Sequence, residues 1–127
     1  MRLRLFARLT IATVAAATCL SPDTVRSQQR RVVRITAERF VFTPSEIVVE
    51  PGEEIELRLK SDDTAHGFRL SGTSVNVVIP KRGRSELVTV VRLTEPGRYT
   101  FECTRMCGAG HNFMRGVIVV RDRAKQK

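Results

Sequence analysis

The sequence predicts an all-β domain, a Greek-key β-sandwich of seven to eight strands. Three observations carry this. Ile55, Leu57 and Leu59 alternate with charged residues at 54, 56, 58 and 60, the period of a half-buried strand. Turn chemistry recurs at short intervals: Pro51-Gly52, Ser71-Gly72, Lys81-Arg82-Gly83 and Pro96-Gly97. No window of useful length has apolar residues at i, i+3 and i+4, so no helix is expected in the body of the chain.

The strand-like runs follow in order. Val32, Val33 and Ile35 open the series, with Phe40, Val41 and Phe42 after them. Ile47-Val48-Val49 precedes the first Pro-Gly turn, and the alternating run at 54–60 follows it. Val75, Val77, Val78 and Ile79 come next, then Leu87–Leu93, then Tyr99 and Phe101, and last Val117–Val120. Tyr99 and most Phe residues are expected in the core. Phe68 and Phe113 stand apart, because each lies within two residues of a histidine, and with the outer edge of the His111 loop they are expected to offer an apolar contact surface for a redox partner.

Length and composition narrow the function. The chain has 127 residues, 42% of them hydrophobic, which is room for one domain. Two His in the whole chain exclude enzymes that need several. Residues 1–27 differ from the rest. Arg2, Arg4 and Arg8 precede the uncharged run Leu9–Leu20, the shape of a secretory signal. Val25-Arg26-Ser27 offers small residues for cleavage before Gln28. A retained short anchor and a lipid on Cys19 are the other forms of this reading, and all three place the domain outside the cytoplasm, periplasmic or extracytoplasmic. Residues 28–31 read as a linker, 32–121 as the domain and 122–127 as a basic tail. The formal net charge is +9; without residues 1–27, which hold four Arg and one Asp, it is +6. Such a charge fits an acidic protein partner or an anionic membrane surface. Nucleic acid is not expected, because the basic residues are scattered with no aromatic platform among them. The oligomeric state is left open.

The chemistry is concentrated between Cys103 and Met114. Cys103, Cys107, His111 and Met114 have the spacing C-x3-C-x3-H-x2-M, in a loop between two strand signals. The other histidine, His66, lies upstream after Asp62-Asp63-Thr64-Ala65. Two thiolates, two imidazoles and a thioether form a soft set that favours copper over magnesium, calcium or manganese. A second thiolate exceeds what a mononuclear blue-copper site uses, and its natural use is to bridge two copper ions with one imidazole on each. Met114 would be a weak axial ligand, and a backbone carbonyl between the cysteines could serve the other copper. Protein donors would then leave no position for a substrate, which favours an electron carrier over an enzyme. The same residues also admit a Cys103–Cys107 disulfide in a non-redox binding module, a Cys2His2 zinc site, and a mononuclear copper site in a copper carrier or chaperone. Met106 is expected to be packing.

These residues resemble the CuA-type cupredoxin domain of cytochrome c oxidase subunit II, which also forms the C-terminal domain of nitrous-oxide reductase. The resemblance covers roughly residues 32–121. It is carried by Phe42-Thr-Pro44, Ile47-Val-Val and Pro51-Gly52; by Asp63-Thr-Ala-His66-Gly-Phe68; by Pro96-Gly97-Arg-Tyr99-Thr-Phe101-Glu-Cys103; and by Cys107-Gly108-Ala-Gly110-His111-Asn-Phe-Met114-Arg-Gly116. It implies a cupredoxin-like sandwich and a dinuclear, mixed-valence copper centre. Cys103 and Cys107 would bridge, His66 and His111 would be terminal ligands, Met114 would be axial, and the main-chain carbonyl of Arg105 would complete the set. It also implies a redox partner, a cytochrome or an oxidase.

Three departures from the family pattern stand out. Arg105 replaces a Glu that in subunit II also helps hold magnesium, a role arginine cannot take. The chain has no Trp, where subunit II uses one for electron entry. Its two His cannot build the second copper cluster of nitrous-oxide reductase. A free-standing CuA-like domain is therefore expected, one that performs no bond-making reaction of its own.

Overall fold

The computed structural model describes residues 30–122 and residue 124. The signal reading of residues 1–27 lies outside the described residues, as do 28 and 29 of the linker and 123 and 125–127 of the tail. Nine strands form: β1 (Arg31–Glu38), β2 (Val41–Thr43), β3 (Glu46–Val49), β4 (Glu54–Ser61), β5 (His66–Leu70), β6 (Asn76–Ile79), β7 (Leu87–Arg92), β8 (Gly97–Glu102) and β9 (Arg115–Val120). The strand that no expected run marked is β5, which carries His66, and the first apolar series divides into two strands at Arg39-Phe40. There the first apolar series turns back on itself, and Glu38 pairs with Val41 antiparallel. β1 starts at Arg31, one residue inside the span read as linker. Among the described residues no helix is long and apolar enough to cross a membrane.

Two sheets stack. One has the order β2-β1-β4-β7, the other β3-β9-β8-β5-β6. Pairs β1/β4 and β3/β9 are parallel, so the chain crosses between sheets rather than meandering, as the Greek-key expectation requires. The strand period decides what goes inside. Ile55, Leu57 and Leu59 on β4 face Ile118 and Val120 on β9, Phe101 on β8 and Leu70 on β5 within one buried core, while the charged residues between them point out. Phe42, Phe68 and Phe101 meet at its centre. Phe68 and Phe101 are stacked with centroids 5.2 Å apart, and Phe42 meets both edge-on at 5.7 and 5.3 Å. Such contacts add to the area the rings bury.

Phe68 is thus a core residue and not a surface one. Tyr99 is half-buried at the rim, its hydroxyl donating to the Glu95 carbonyl at 3.0 Å. Met106, expected to be packing, is 77% exposed, because it sits at the outer turn of a loop with no strand beneath it.

Candidate metal centre

Three strand ends meet at one end of the sandwich. β5 begins there at His66, β8 ends there at Glu102, and β9 begins there at Arg115. The loop 103–114 therefore leaves and re-enters adjacent antiparallel strands. Its ends are closed by the Cys103 N–H donating to the Met114 carbonyl at 3.0 Å. Its second half forms a short 3-10 turn, His111–Phe113. Two glycines let it lie close. Gly67 on β5 has the Thr104 and Arg105 backbone nitrogens 2.5 and 2.6 Å from where a Cβ would stand. Gly110 lies under the Phe40 ring, 2.3 Å from the same virtual position.

The expected donors come together in this end. The Nδ1 of His66 is 4.0 Å from the Cys103 sulfur. That sulfur is 3.8 Å from the Cys107 sulfur and 3.1 Å from the Arg105 carbonyl oxygen. The Cys107 sulfur is in turn 3.8 Å from Nδ1 of His111 and 3.9 Å from the Met114 sulfur. Both thiols are free; a disulfide needs sulfurs about 2 Å apart. The donor atoms of His66, Cys103 and Cys107 lie within 4.8 Å of one another. His66, Cys103, Cys107 and Met114 are buried, and His111 is half-buried at the solvent edge. The side chain of Arg105 is exposed, so only its carbonyl faces the cluster. As a donor set, buried sulfur and imidazole nitrogen fit a soft transition metal and do not fit magnesium or calcium.

Three residues that sequence reasoning did not single out hold this arrangement. The carboxylate of Asp63 lies 2.7 Å from Nε2 of His66. Asp63 also accepts hydrogen bonds from the Thr64 N–H at 2.6 Å and the Arg39 N–H at 3.0 Å. Burial opposes its ionisation, but the bonds from His66, Arg39 and Thr64 outweigh burial and bring its pKa down to about 2. Arg39 also donates through Nε to the Cys107 carbonyl at 2.7 Å, tying the β1–β2 turn to the ligand loop. Phe40 packs its ring on Gly108 and Gly110. A signal for Asp63 was present, since it stands three residues before His66; nothing local marked Arg39 or Phe40. In the metal-free molecule, burial and the neighbouring Cys103 thiol push the Cys107 thiol up to about 11.

A family model described as a cupredoxin-like domain matches residues 9–120, most of the chain. The chain belongs to the cupredoxin-like family. It is also 40% identical over 93 residues to cytochrome c oxidase subunit 2 of Thermus thermophilus, a match that covers 71% of this chain and 65% of that protein. Against a second Thermus thermophilus cytochrome c oxidase subunit 2 the identity is again 40%, covering 52% of the relative. The chain thus spans between half and two thirds of the length of these relatives. Among solved structures, this cupredoxin-like fold is shared with the periplasmic domain of subunit II of cytochrome oxidase of Bradyrhizobium japonicum. The TM-score is 0.66 at 19% identity, over 75% of this chain and 86% of the other.

Proposed function

We propose that this cupredoxin-like chain is an exported one-electron carrier whose metal end holds two copper ions as a CuA-like pair. Cys103 and Cys107 would bridge them, His66 and His111 would be terminal ligands, Met114 an axial ligand, and the Arg105 carbonyl the last donor. The pair would accept and release one electron without making or breaking a covalent bond in a substrate. One observation carries the reading: six donors from β5 and one loop form an unbroken series with neighbours 3.1–4.0 Å apart. Likeness to subunit 2 of an oxidase supports it, and an oxidase-type electron-transfer chain is the setting such a carrier would fit.

The protein's own contribution is rigidity and exclusion of water. His66 and the three sulfur donors are buried, which limits the water that must reorganise when the charge changes, while Cys103, His111 and Met114 line a cleft on the solvent side. Gly67 and Gly110 allow backbone and ring to press on the loop from two sides, which fixes ligand positions in the way a preorganised site requires. His111, the ligand side chain at the solvent edge, would offer a way out for an electron.

Copper reconstitution followed by electron paramagnetic resonance tests the reading. Hyperfine structure from two equivalent copper nuclei, with two coppers per chain, is the expected result. One copper per chain with a mononuclear spectrum would instead make the protein a copper carrier.

A further inference from the structure

We propose that the metal end of this domain is a docking face for an acidic redox protein. The proposal rests on the copper reading for the electron it delivers, but not for the contact itself. The loops around the centre carry Arg39, Lys81, Arg82, Arg84 and Arg105, and β9 begins with Arg115; all six are exposed. Arg82 belongs to this end because its N–H donates to the Asp63 carbonyl at 3.0 Å. Arg39 and Arg115 donate to backbone carbonyls. Among the described residues none of the six joins an ion pair.

The acids of the same end are already engaged. Asp62 pairs with Lys60, Glu86 with Arg58, Glu102 with Arg69 and Glu46 with Arg98, while the half-buried Asp63 is turned onto the His66 ring. Glu38 and Asp63 are left against six cations. At the opposite end the balance differs: Arg30, Arg31, Arg92 and Arg121 are matched by Glu54, Glu56, Glu53 and Glu50. Among the described residues the unpaired positive charge therefore gathers on the metal end.

Two large apolar side chains stand exposed on the ligand loop of the same end. Phe113 is 80% exposed and Met106 is 77% exposed. Each directly adjoins a donor in sequence, Met114 and Cys107 respectively. Beside them a polar cleft of about 470 Å³ opens between Arg69, Arg115 and His111. An apolar centre with a charged rim is the anatomy of a protein interface. Cations at the rim steer an oppositely charged partner and raise its rate of encounter. With copper bound and reduced, the centre would supply one electron to the partner's oxidised centre in the docked pair, without a bond being made or broken.

The test uses two probes of opposite charge, an acidic plant plastocyanin and a basic mitochondrial cytochrome c. In the first arm the metal-free and copper-loaded chains are titrated with each probe and followed by amide chemical shifts. Plastocyanin is expected to move the amides of residues 81–84, 105–106 and 113–115. Its affinity should fall about tenfold between 10 mM and 0.15 M salt, as the Debye length shrinks from roughly 30 to 8 Å. Cytochrome c should bind more weakly. Lys81→Glu and Arg84→Glu should each weaken plastocyanin several-fold, while Arg34→Glu, the same charge change on the outer face of the four-stranded sheet, should not. Equal losses for all three, or tighter binding of cytochrome c, would overturn the proposal. So would binding of phosphatidylglycerol vesicles through Lys81 and Arg84 with no response to plastocyanin. In the second arm, oxidation of the copper-loaded, reduced chain is timed by stopped flow. Salt-sensitive transfer to plastocyanin supports both readings. Docking without transfer removes the electron-carrier reading and leaves the interface, whereas transfer at equal, salt-independent rates to both probes removes the interface and leaves the carrier.

Discussion

The Asp63 carboxylate and the His66 ring meet at 2.7 Å, on the side of the imidazole away from Cys103. With its pKa at about 2, Asp63 is ionised and can only accept. Nε2 of His66 must therefore carry the hydrogen of this contact, and Nδ1 is the nitrogen turned to the sulfur side, where a metal would meet it. A carboxylate behind a histidine ligand fixes the tautomer and raises ligand basicity. Asp63→Ala should lower copper affinity by about 10–100-fold, measured by competition with a chelator. Asp63→Asn, which keeps an acceptor oxygen, should lose less. Equal affinity in all three proteins would remove Asp63 from the site.

The same carboxylate makes the metal-free fold sensitive to acid. Asp63 ionises more readily in the folded chain than at its ordinary value of 3.8. Its contribution is therefore fully present above about pH 4 and is lost as pH falls through about 2. An acid titration followed by circular dichroism should show stability falling across that window. The fall should be shallower in Asp63→Asn, whose side chain does not titrate.

Copper uptake should release protons. Burial and Cys103 hold the Cys107 thiol protonated to about pH 11 in the metal-free molecule, while a thiolate is what binds metal. Release of the Cys107 proton is expected in an unbuffered copper titration at neutral pH, with apparent affinity rising with pH. Because the raised value favours the neutral thiol in the folded chain, the metal-free fold should lose stability as pH climbs from about 9, the ordinary thiol value, through about 11.

Much of this site is legible in the sequence because its spacing is local. Cys103, Cys107, His111 and Met114 lie in twelve residues between two strands, and His66 follows as the only other histidine. The strands other than β5 follow from apolar runs, alternation and turn residues. Phe68 shows where proximity misleads. It stands two residues from His66, yet on β5 the residues 66, 68 and 70 share one face, and all three are buried. The period of two puts the ligand and the core ring on the same side. Phe40 and Arg39 were not legible. They reach the ligand loop across 68 residues of chain, from Arg39 Nε to the Cys107 carbonyl, a contact created only when the β1–β2 turn and the β8–β9 loop fall at one end of the sandwich.

Gly67 gives the most demanding test of how the loop is held. Its neighbours at the virtual Cβ position are backbone as well as side chain: Thr104 Oγ1 at 2.3 Å, Thr104 N at 2.5 Å and Arg105 N at 2.6 Å. A threonine hydroxyl can rotate away, but two peptide nitrogens on the loop cannot move without carrying the Cys103 and Arg105 donors with them. Overpacking of a tight contact costs about 1–3 kcal/mol. Gly67→Ala should therefore lower the melting temperature of the metal-free chain. It should also weaken copper binding by more than the stability loss alone accounts for, because the Arg105 carbonyl shifts relative to the Cys103 sulfur. Thr104→Ala combined with Gly67→Ala should restore little of either, since it removes the hydroxyl and leaves the backbone clash. Full recovery of melting temperature and affinity in that double variant would place the contact on the side chain and free the loop backbone from any role in setting the donors.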